Sequence, residues 1–158
     1  MGQEGKKLDI SITYKNFDIT SDWTIFEESE IVSHNNTHDY PIPIELIEKR
    51  KNDVIEFINN DDYFVKTIWK ENEKIGIVIF GLKPSKVIKV GFLFNIYLKK
   101  EHRNSQIGEK VIQDLIIFSK DRGFKNIELF VGANNLPAKR LYEKTGFISK
   151  QIAMELKL

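Results

Sequence analysis

The hydrophobic period changes between Lys86 and Val131, and this change constrains the fold more than any other feature of the chain. Apolar, β-branched and aromatic residues make Lys86 to Leu98 a strand, and Asn126 to Val131 is predicted as another. Between them, apolar residues recur at helical spacing from Ile107 to Phe118. Strand, buried helix and strand in this order predict a βαβ crossover, with parallel strands and a right-handed connection.

Two more strands precede this crossover and are joined by short turns. Tyr63 to Lys70 and Lys74 to Gly81 are separated by Glu71-Asn72-Glu73, and Lys83-Pro84-Ser85 leads into the strand from Lys86 to Leu98. Such short connections join neighbouring antiparallel strands. The three strands are therefore predicted to form an antiparallel meander.

The remaining elements are predicted from local periodicity and from helix-ending glycines. They are a strand at Leu8 to Tyr14, a short helix and a mobile loop within Phe17 to Tyr40, an amphipathic helix at Ile44 to Ile58, an end of the buried helix near Gly123, a short helix at Leu136 to Lys144 closed by Gly146, and final strands at Phe147 to Ile152 and Met154 to Leu158. The prediction is one α/β (α+β) domain, residues 1–158, with a mixed, mostly antiparallel sheet.

The amino-acid composition argues against several classes of function. The 158 residues include 24 Lys and Arg against 23 Asp and Glu, a formal net charge of +1, so no overall field favours nucleic acid or a membrane surface. No cysteine is present, which excludes disulfides, thiolate metal sites and a cysteine nucleophile. The first twenty residues contain no apolar stretch of the kind found in signal peptides or membrane spans. We therefore expect a cytoplasmic protein that binds neither nucleic acid nor membrane.

The loop from Leu98 to Gly108 joins the end of a buried strand to the start of a buried helix. The unpaired N–H groups of a first helical turn and the helix dipole together suit an anion such as pyrophosphate. Arg103 can add a planar charged fork, and Gly108 can leave room for a phosphate. The alternative is that Arg103 is a solvated charge and Gly108 only lets helix and strand pack closely.

Two segments resemble the signatures of the GNAT superfamily of N-acetyltransferases. The first family pattern is Arg or Gln, two residues, Gly, one residue, then Gly or Ala, and here it is met by Arg103, Asn104-Ser105, Gln106, Ile107 and Gly108. The second is Asn, two residues, Ala, three residues, Tyr, three residues, Gly-Phe, met by Asn135, Ala138, Tyr142 and Gly146-Phe147. Gln106 departs from the first glycine, so either its φ is ordinary or the loop differs slightly in shape. The resemblance covers roughly residues 88 to 158.

The resemblance implies acetyl-CoA as cosubstrate, helices on both faces of the sheet, and fourth and fifth strands that are parallel but splayed around the pantetheine arm. The implied cofactor-binding residues are Ile96, Tyr97, Leu98, Arg103, Asn104, Ser105, Gln106, Ile107, Gly108, Asn135, Ala138 and Tyr142. Tyr142 is implied as the general acid that protonates the departing thiolate.

The residue that removes the proton from the amine is less evident. Family members that acetylate protein N-termini carry a glutamate on the fifth strand, and Phe130 stands at that position here. Glu128 lies two residues earlier on the same face, and Asn95 can orient a water. We expect proton loss through ordered water, with Glu128 and Asn95 as further catalytic candidates.

Several alternatives stay open. The acceptor is an amine-bearing small molecule, a protein N-terminus or a lysine, and a homodimer is possible. His34, His38 and Asp39 could hold a metal, but a loop contacting substrate is favoured and no metal is expected. Five acidic residues could draw a cationic amine toward the acceptor side, although a solvated surface is the favoured interpretation: Glu27, Glu28, Glu30, Asp61 and Asp62. A different class of function is a catalytically silent acetyl-CoA-binding sensor or scaffold.

Overall fold

The computed structural model describes residues 10–84 and 87–158. Its strands are β1 (Thr13–Asn16), β2 (Phe64–Lys70), β3 (Glu73–Leu82), β4 (Gly91–Leu98) and β5 (Ile127–Leu129), and its helices are α1 (Trp23–Asn35), α2 (Ile44–Phe57), α3 (Ile107–Asp121) and α4 (Leu136–Lys144). A 3₁₀ turn at Lys100–His102 lies between β4 and α3.

The five strands form one sheet in the order β1-β2-β3-β4-β5. The first four pair antiparallel, which confirms the predicted meander. β4 and β5 are parallel, as the βαβ pattern predicted, with Gly91 opposite Ile127 and Leu93 opposite Leu129. The parallel pairing ends at Leu93, whereas β4 continues to Leu98. The predicted splay of these two strands is thus confirmed.

The sheet is covered on both faces because its central strand alternates between two cores. Val78 and Phe80 of β3 pack in one cluster with residues of α3 and with Tyr142 of α4. Ile77 and Ile79 point the other way and pack with residues of α1 and α2. Helices therefore lie on both faces, and we refer to these as the α3/α4 face and the α1/α2 face.

A β-bulge interrupts β4 at the point where its pairing with β5 ends. Leu93 is opposite Phe80 and Asn95 is opposite Ile79, so Phe94 is an extra residue in the ladder. A bulge of this kind re-aims the side chains that follow it. Phe94 packs in the cluster of the α1/α2 face, and Asn95 also reaches α1 on that face.

Helix α1 is longer than the short helix predicted for this segment, with 13 residues. Its buried face consists of Ile25, Phe26, Ser29, Glu30 and His34. Three of these five are polar, which explains why hydrophobic periodicity gave only a weak signal. Helix α2 ends within one residue of its predicted end.

The prediction of two final strands, at Phe147 to Ile152 and Met154 to Leu158, was wrong. Residues 147–158 contain no strand, although Ile152, Met154, Leu156 and Leu158 alternate as strand residues do. Ile152 is 87% exposed and Met154 is 93% exposed. Alternation supplies an apolar face, but a strand also needs a hydrogen-bonded neighbour, and β5 has only three residues. Of the first predicted strand, Leu8 and Asp9 lie outside the described residues, as does Lys86 at the start of the third.

Gly76→Ala tests the close packing of β3 against β4. A Cβ at Gly76 would lie 2.3 Å from the backbone oxygen of Tyr97, which cannot move without displacing β4. We expect a loss of about 1–3 kcal/mol in the free energy of unfolding, measured by urea denaturation. Lys70→Ala, at the exposed end of β2, is the control and should change stability by less than about 0.5 kcal/mol. Equal stability of the two variants would contradict the close approach.

Candidate functional site

The backbone of β4 beyond Leu93 forms one wall of the candidate site. β5 pairs only with Gly91 to Leu93, so the same edge of β4 from Phe94 to Leu98 has no strand beside it among residues 10–84 and 87–158. The opposite edge remains paired with β3 as far as Leu98. An open strand edge presents backbone donors and acceptors to a ligand. Such an edge suits an extended, amide-containing arm.

The loop after β4 brings Arg103 back to the strand end. The Arg103 Nε donates a hydrogen bond of 2.8 Å to the Leu98 carbonyl oxygen, and its guanidinium lies 5.6 Å from the centre of the Tyr97 ring. Arg103 is exposed. One edge of the guanidinium therefore fixes the side chain to the end of β4, and its permanent charge lies at the loop.

Helix α3 begins directly after this loop. Its first backbone bond runs from the Lys110 N–H to the Gln106 oxygen at 3.1 Å, so the N–H groups of Ile107, Gly108 and Glu109 precede the helical ladder. The Gln106 side chain makes no capping bond with them. This helix start keeps the donors and dipole that the anion hypothesis requires.

The backbone at Gln106 settles one of the alternatives left open by the sequence. Its φ is 64°, in the left-handed region, so the first alternative, an ordinary φ at this position, is excluded. Asn104 has a φ of 59°. A left-handed conformation costs an L-residue roughly 1–2 kcal/mol. Gln106 therefore keeps the glycine-like backbone of the motif without being glycine.

Gly108 packs against α4. A Cβ at Gly108 would lie 2.9 Å from a Cδ of Leu141. The missing side chain therefore lets α3 approach α4 closely. This supports the packing role that the sequence left as an alternative, although the partner is a helix and not a strand.

Asn135 caps helix α4. Its side-chain oxygen accepts a hydrogen bond of 3.4 Å from the Ala138 N–H, and Pro137 follows in the first turn. Asn135 is half-buried. Asn135 therefore has a structural role as the cap of α4 in addition to its implied contact with the cofactor.

Tyr142 is buried in the core of the α3/α4 face, with 9% of its surface exposed. Its ring packs edge-to-face on Phe147 at 5.7 Å. Burial raises the pKa of Tyr142 to about 12, because the phenolate would lose its hydration. The phenol therefore stays protonated at neutral pH. Among the sequence-predicted cofactor residues, Ile96, Leu98, Ile107, Ala138 and Tyr142 belong to this one cluster.

Asn95 lies on the opposite, α1/α2 face and is buried. Its Nδ2 donates to the Ser29 hydroxyl and to the Glu30 carboxylate, both at 3.1 Å. The other Glu30 oxygen forms an ion pair with Arg50 of α2. Asn95 is therefore held by α1.

Glu30 corrects the interpretation of the acidic residues as solvated surface, because only 4% of it is exposed. Sequence reasoning missed the network of Ser29, Glu30 and Arg50. A signal was available, since Ile25, Phe26, Ser29 and Glu30 share a helical face.

Glu128 is already engaged by a cation. It forms an ion pair with Lys83 and lies opposite Phe92 in the parallel register. Phe130, at the position aligned with the family glutamate, is 78% exposed and packs against Phe92 at 5.4 Å. Glu128 and Asn95 thus lie on the face opposite to Tyr142.

The paired histidines hold the end of α1. His34 is buried, its Nε2 lies 3.0 Å from the Tyr40 oxygen, and its ring stacks on that of His38 at 4.1 Å. His34 ends up in the last turn of the helix and His38 in the turn beyond it. In the described part of the chain, no group of three His, Cys, Asp or Glu side chains could hold a metal ion.

Comparison with known proteins identifies the family. Residues 23–147 match the model of the acetyltransferase (GNAT) family. This match covers most of the chain, so the chain belongs to the GNAT acetyltransferase family. No helix among the described residues has the length and apolar character required to cross a membrane.

Individual relatives agree with this assignment. The uncharacterised N-acetyltransferase YobR of Bacillus subtilis is 35% identical over 82 residues, which are 52% of this chain and 33% of YobR. YycN of the same organism is 28% identical over 91 residues, 56% of this chain and 58% of YycN. The chain thus spans less than two thirds of either relative.

Solved structures share the fold. The structure of YycN has a TM-score of 0.73 at 17% identity and covers 94% of this chain and 99% of its own. A predicted acetyltransferase from Clostridium acetobutylicum, solved with acetyl-CoA, has a TM-score of 0.70 at 16% identity and covers 93% of this chain and 96% of its own.

Gln106→Gly tests the left-handed conformation at the start of α3. The substitution relieves roughly 1–2 kcal/mol of backbone strain in the folded state. This gain is partly offset because glycine loses more conformational entropy on folding, which costs about 0.5–1 kcal/mol. We expect a net gain of roughly 0.5 kcal/mol in the free energy of unfolding, measured by urea denaturation. The matched control is Gln113→Gly inside α3, which should lose about 1 kcal/mol. Similar losses at both positions would show that Gln106 is not left-handed.

Proposed function

We propose that this chain transfers an acetyl group from acetyl-CoA to a primary amine of a small molecule, a protein N-terminus or a lysine. The observation that carries the proposal is the open edge of β4 from Phe94 to Leu98, placed next to the uncapped start of α3. The first feature suits the amides of pantetheine, and the second suits pyrophosphate. Family membership and the acetyl-CoA found in the Clostridium protein support the same assignment.

The residues of the loop suit a pyrophosphate group. The backbone N–H groups from Asn104 to Gly108 would donate to its oxygens, with the Ser105 hydroxyl beside them and Arg103 adding charge. Each charge-assisted hydrogen bond contributes roughly 1.5–3 kcal/mol. The backbone from Ile96 to Leu98 would pair with the pantetheine arm, and Asn135 would contact it from the other side.

The two faces of the sheet supply different chemical groups. An amine that enters from the α1/α2 face attacks the thioester carbon, and a backbone N–H of β4 stabilises the oxyanion that forms. Collapse of this intermediate breaks the C–S bond, and Tyr142 on the α3/α4 face gives its proton to the sulfur. Burial raises the pKa of Tyr142 to about 12, so the phenol still carries the proton that the departing thiolate takes.

The amine must also lose a proton. Glu128 is held by Lys83, and the Asn95 amide donates to Glu30, so we place a water between the amine and this polar face. Glu128 and Asn95 then position the water and do not take the proton directly. The single domain over residues 1–158, the cytoplasmic location and the homodimer stay predictions.

Arg103→Ala tests the cosubstrate site. Acetyl-CoA at a hundredfold excess over its Kd should stabilise the wild type by about 2.7 kcal/mol, measured as a rise in Tm. Loss of one charge-assisted contact should raise Kd about 10–100-fold.

The matched control for this test is Arg122→Ala. Arg122 also bonds a backbone oxygen through Nε, at 2.5 Å to Asp61, and stacks on an aromatic ring, Phe118, at 3.8 Å. It lies at the other end of α3. An unchanged Kd for Arg103→Ala, or an equal loss in the control, would place the anion site elsewhere.

Tyr142→Phe tests the general acid and separates the enzyme from a silent acetyl-CoA sensor. General acid catalysis contributes roughly 10²–10⁴-fold, about 2.7–5.4 kcal/mol of barrier. We expect kcat to fall by that factor while the Tm rise with acetyl-CoA is retained. Since the pKa of Tyr142 is about 12, the wild type should keep this acid up to about pH 10.

The control for the acid is Tyr14→Phe. The Tyr14 hydroxyl is bonded to Asp114 at 2.5 Å, and burial raises its pKa, but it lies on β1 at the far edge of the sheet. This variant should lose stability without losing kcat. Wild-type turnover in Tyr142→Phe would make Tyr142 a packing residue, and binding without thiol release by any form would favour the sensor.

A further inference from the structure

A row of aromatic rings crosses the α1/α2 face at the place where β4 and β5 separate. We call it the aromatic row, and it consists of Tyr63, Phe57, Phe94, Phe92 and Phe130. Successive ring centres are 4.3, 5.1, 5.0 and 5.4 Å apart in that order. The row begins beside α2 and ends at a ring that is 78% exposed.

The aromatic row lies on the face from which the acceptor amine is proposed to enter. Phe92 and Phe94 flank Leu93, the last residue of β4 that pairs with β5. Phe130 directly follows β5. An acceptor that reaches the gap from the α1/α2 face therefore passes along Phe92 and Phe130. An exposed phenylalanine held at 5.4 Å from a second ring offers an edge and a face on which another ring can pack.

The charges at the exposed end of the row argue against a polycationic acceptor there. Glu128, the carboxylate at that end, is paired with Lys83, whereas Asp53 and Glu56 lie near Tyr63 at the other end of the row. The Lys83 ammonium also lies 5.8 Å from the Phe92 ring and 6.0 Å from the Phe130 ring. A second positive charge on an acceptor would meet this lysine next to the exposed ring. A single amine with an apolar substituent avoids that repulsion.

We infer that the acceptor is a primary monoamine that carries an aromatic ring, and that Phe130 and Phe92 hold this ring. The inference rests on the proposed acetyl transfer and specifies its acceptor. The same chemistry occurs in a small arylethylamine and in a protein N-terminus that begins with phenylalanine. In both, the ring lies on Phe130 while the amine reaches the gap between β4 and β5.

Matched acceptors test the inference through release of free thiol from acetyl-CoA. The set is 2-phenylethylamine, butylamine, spermidine, and the peptides Phe-Gly-Gly and Ala-Gly-Gly. We expect kcat/KM to be at least about tenfold higher for phenylethylamine than for butylamine, and for Phe-Gly-Gly than for Ala-Gly-Gly, because one apolar group in a fitted site discriminates by roughly 10–200-fold. Comparison of kcat/KM for phenylethylamine with kcat/KM for Phe-Gly-Gly shows whether a small molecule or a protein N-terminus supplies the amine.

Phe130→Ala is the decisive variant, since an exposed side chain can be removed without emptying the core. It should lower the ratio of kcat/KM for phenylethylamine over butylamine about tenfold, with the Tm rise by acetyl-CoA retained. Ile148→Ala, 80% exposed and outside the row, is the matched control and should leave the ratio unchanged.

The outcomes that overturn the inference differ from failure of the proposed function. Transfer to butylamine or spermidine with equal or higher kcat/KM, or an unchanged ratio in Phe130→Ala, overturns the aromatic acceptor and leaves acetyl transfer intact. Absence of thiol release with every amine overturns the acetyl transfer, and the acceptor assignment with it.

Discussion

The hydrogen-bonded ladder between β3 and β4 supports the rest of the site. It holds β4 along one edge to Leu98 while the parallel pairing on the other edge stops at Leu93. The open edge exists because β4 remains paired with β3 after β5 has ended. Gly76 permits this, since only a hydrogen atom fits next to the Tyr97 carbonyl. The proposed cosubstrate site therefore depends on β3, which holds β4 in place along the edge opposite the proposed ligand.

The bulge at Phe94 gives the two faces of the sheet their different characters. It directs both Phe94 and Asn95 toward the α1/α2 face, where one joins a row of rings and the other joins a buried polar network. Glu30 is satisfied there by Asn95 and Arg50, which ties α1, α2 and β4 together. A buried carboxylate with such partners favours a single arrangement of the two helices over the sheet, because any shift would leave a charge unpaired. The opposite face carries Tyr142 in an apolar core.

The elements that carry the proposed cosubstrate residues could be predicted in advance because they depend on local sequence. The change of period at Ile107 and the two motifs placed Arg103, Gly108 and Tyr142 on the correct elements. The acceptor half could not be predicted in this way. Ser29, Glu30 and Asn95 are far apart in sequence, and polar residues on a buried helix face weaken the periodicity on which helix prediction rests. The aromatic row likewise joins α2, β4 and the end of β5.

By itself the sequence determined the order of the elements as far as α4, the parallel crossover and the family, because hydrophobic period and spaced motifs are local properties of the chain. Only the tertiary structure decided where pairing stops, which face each side chain of β4 takes after the bulge, and that Gln106 is left-handed. It also decided that residues 147–158 form no strand, despite their alternating pattern. The physical reason is that pairing and backbone strain depend on neighbours distant in sequence, whose positions no local pattern encodes.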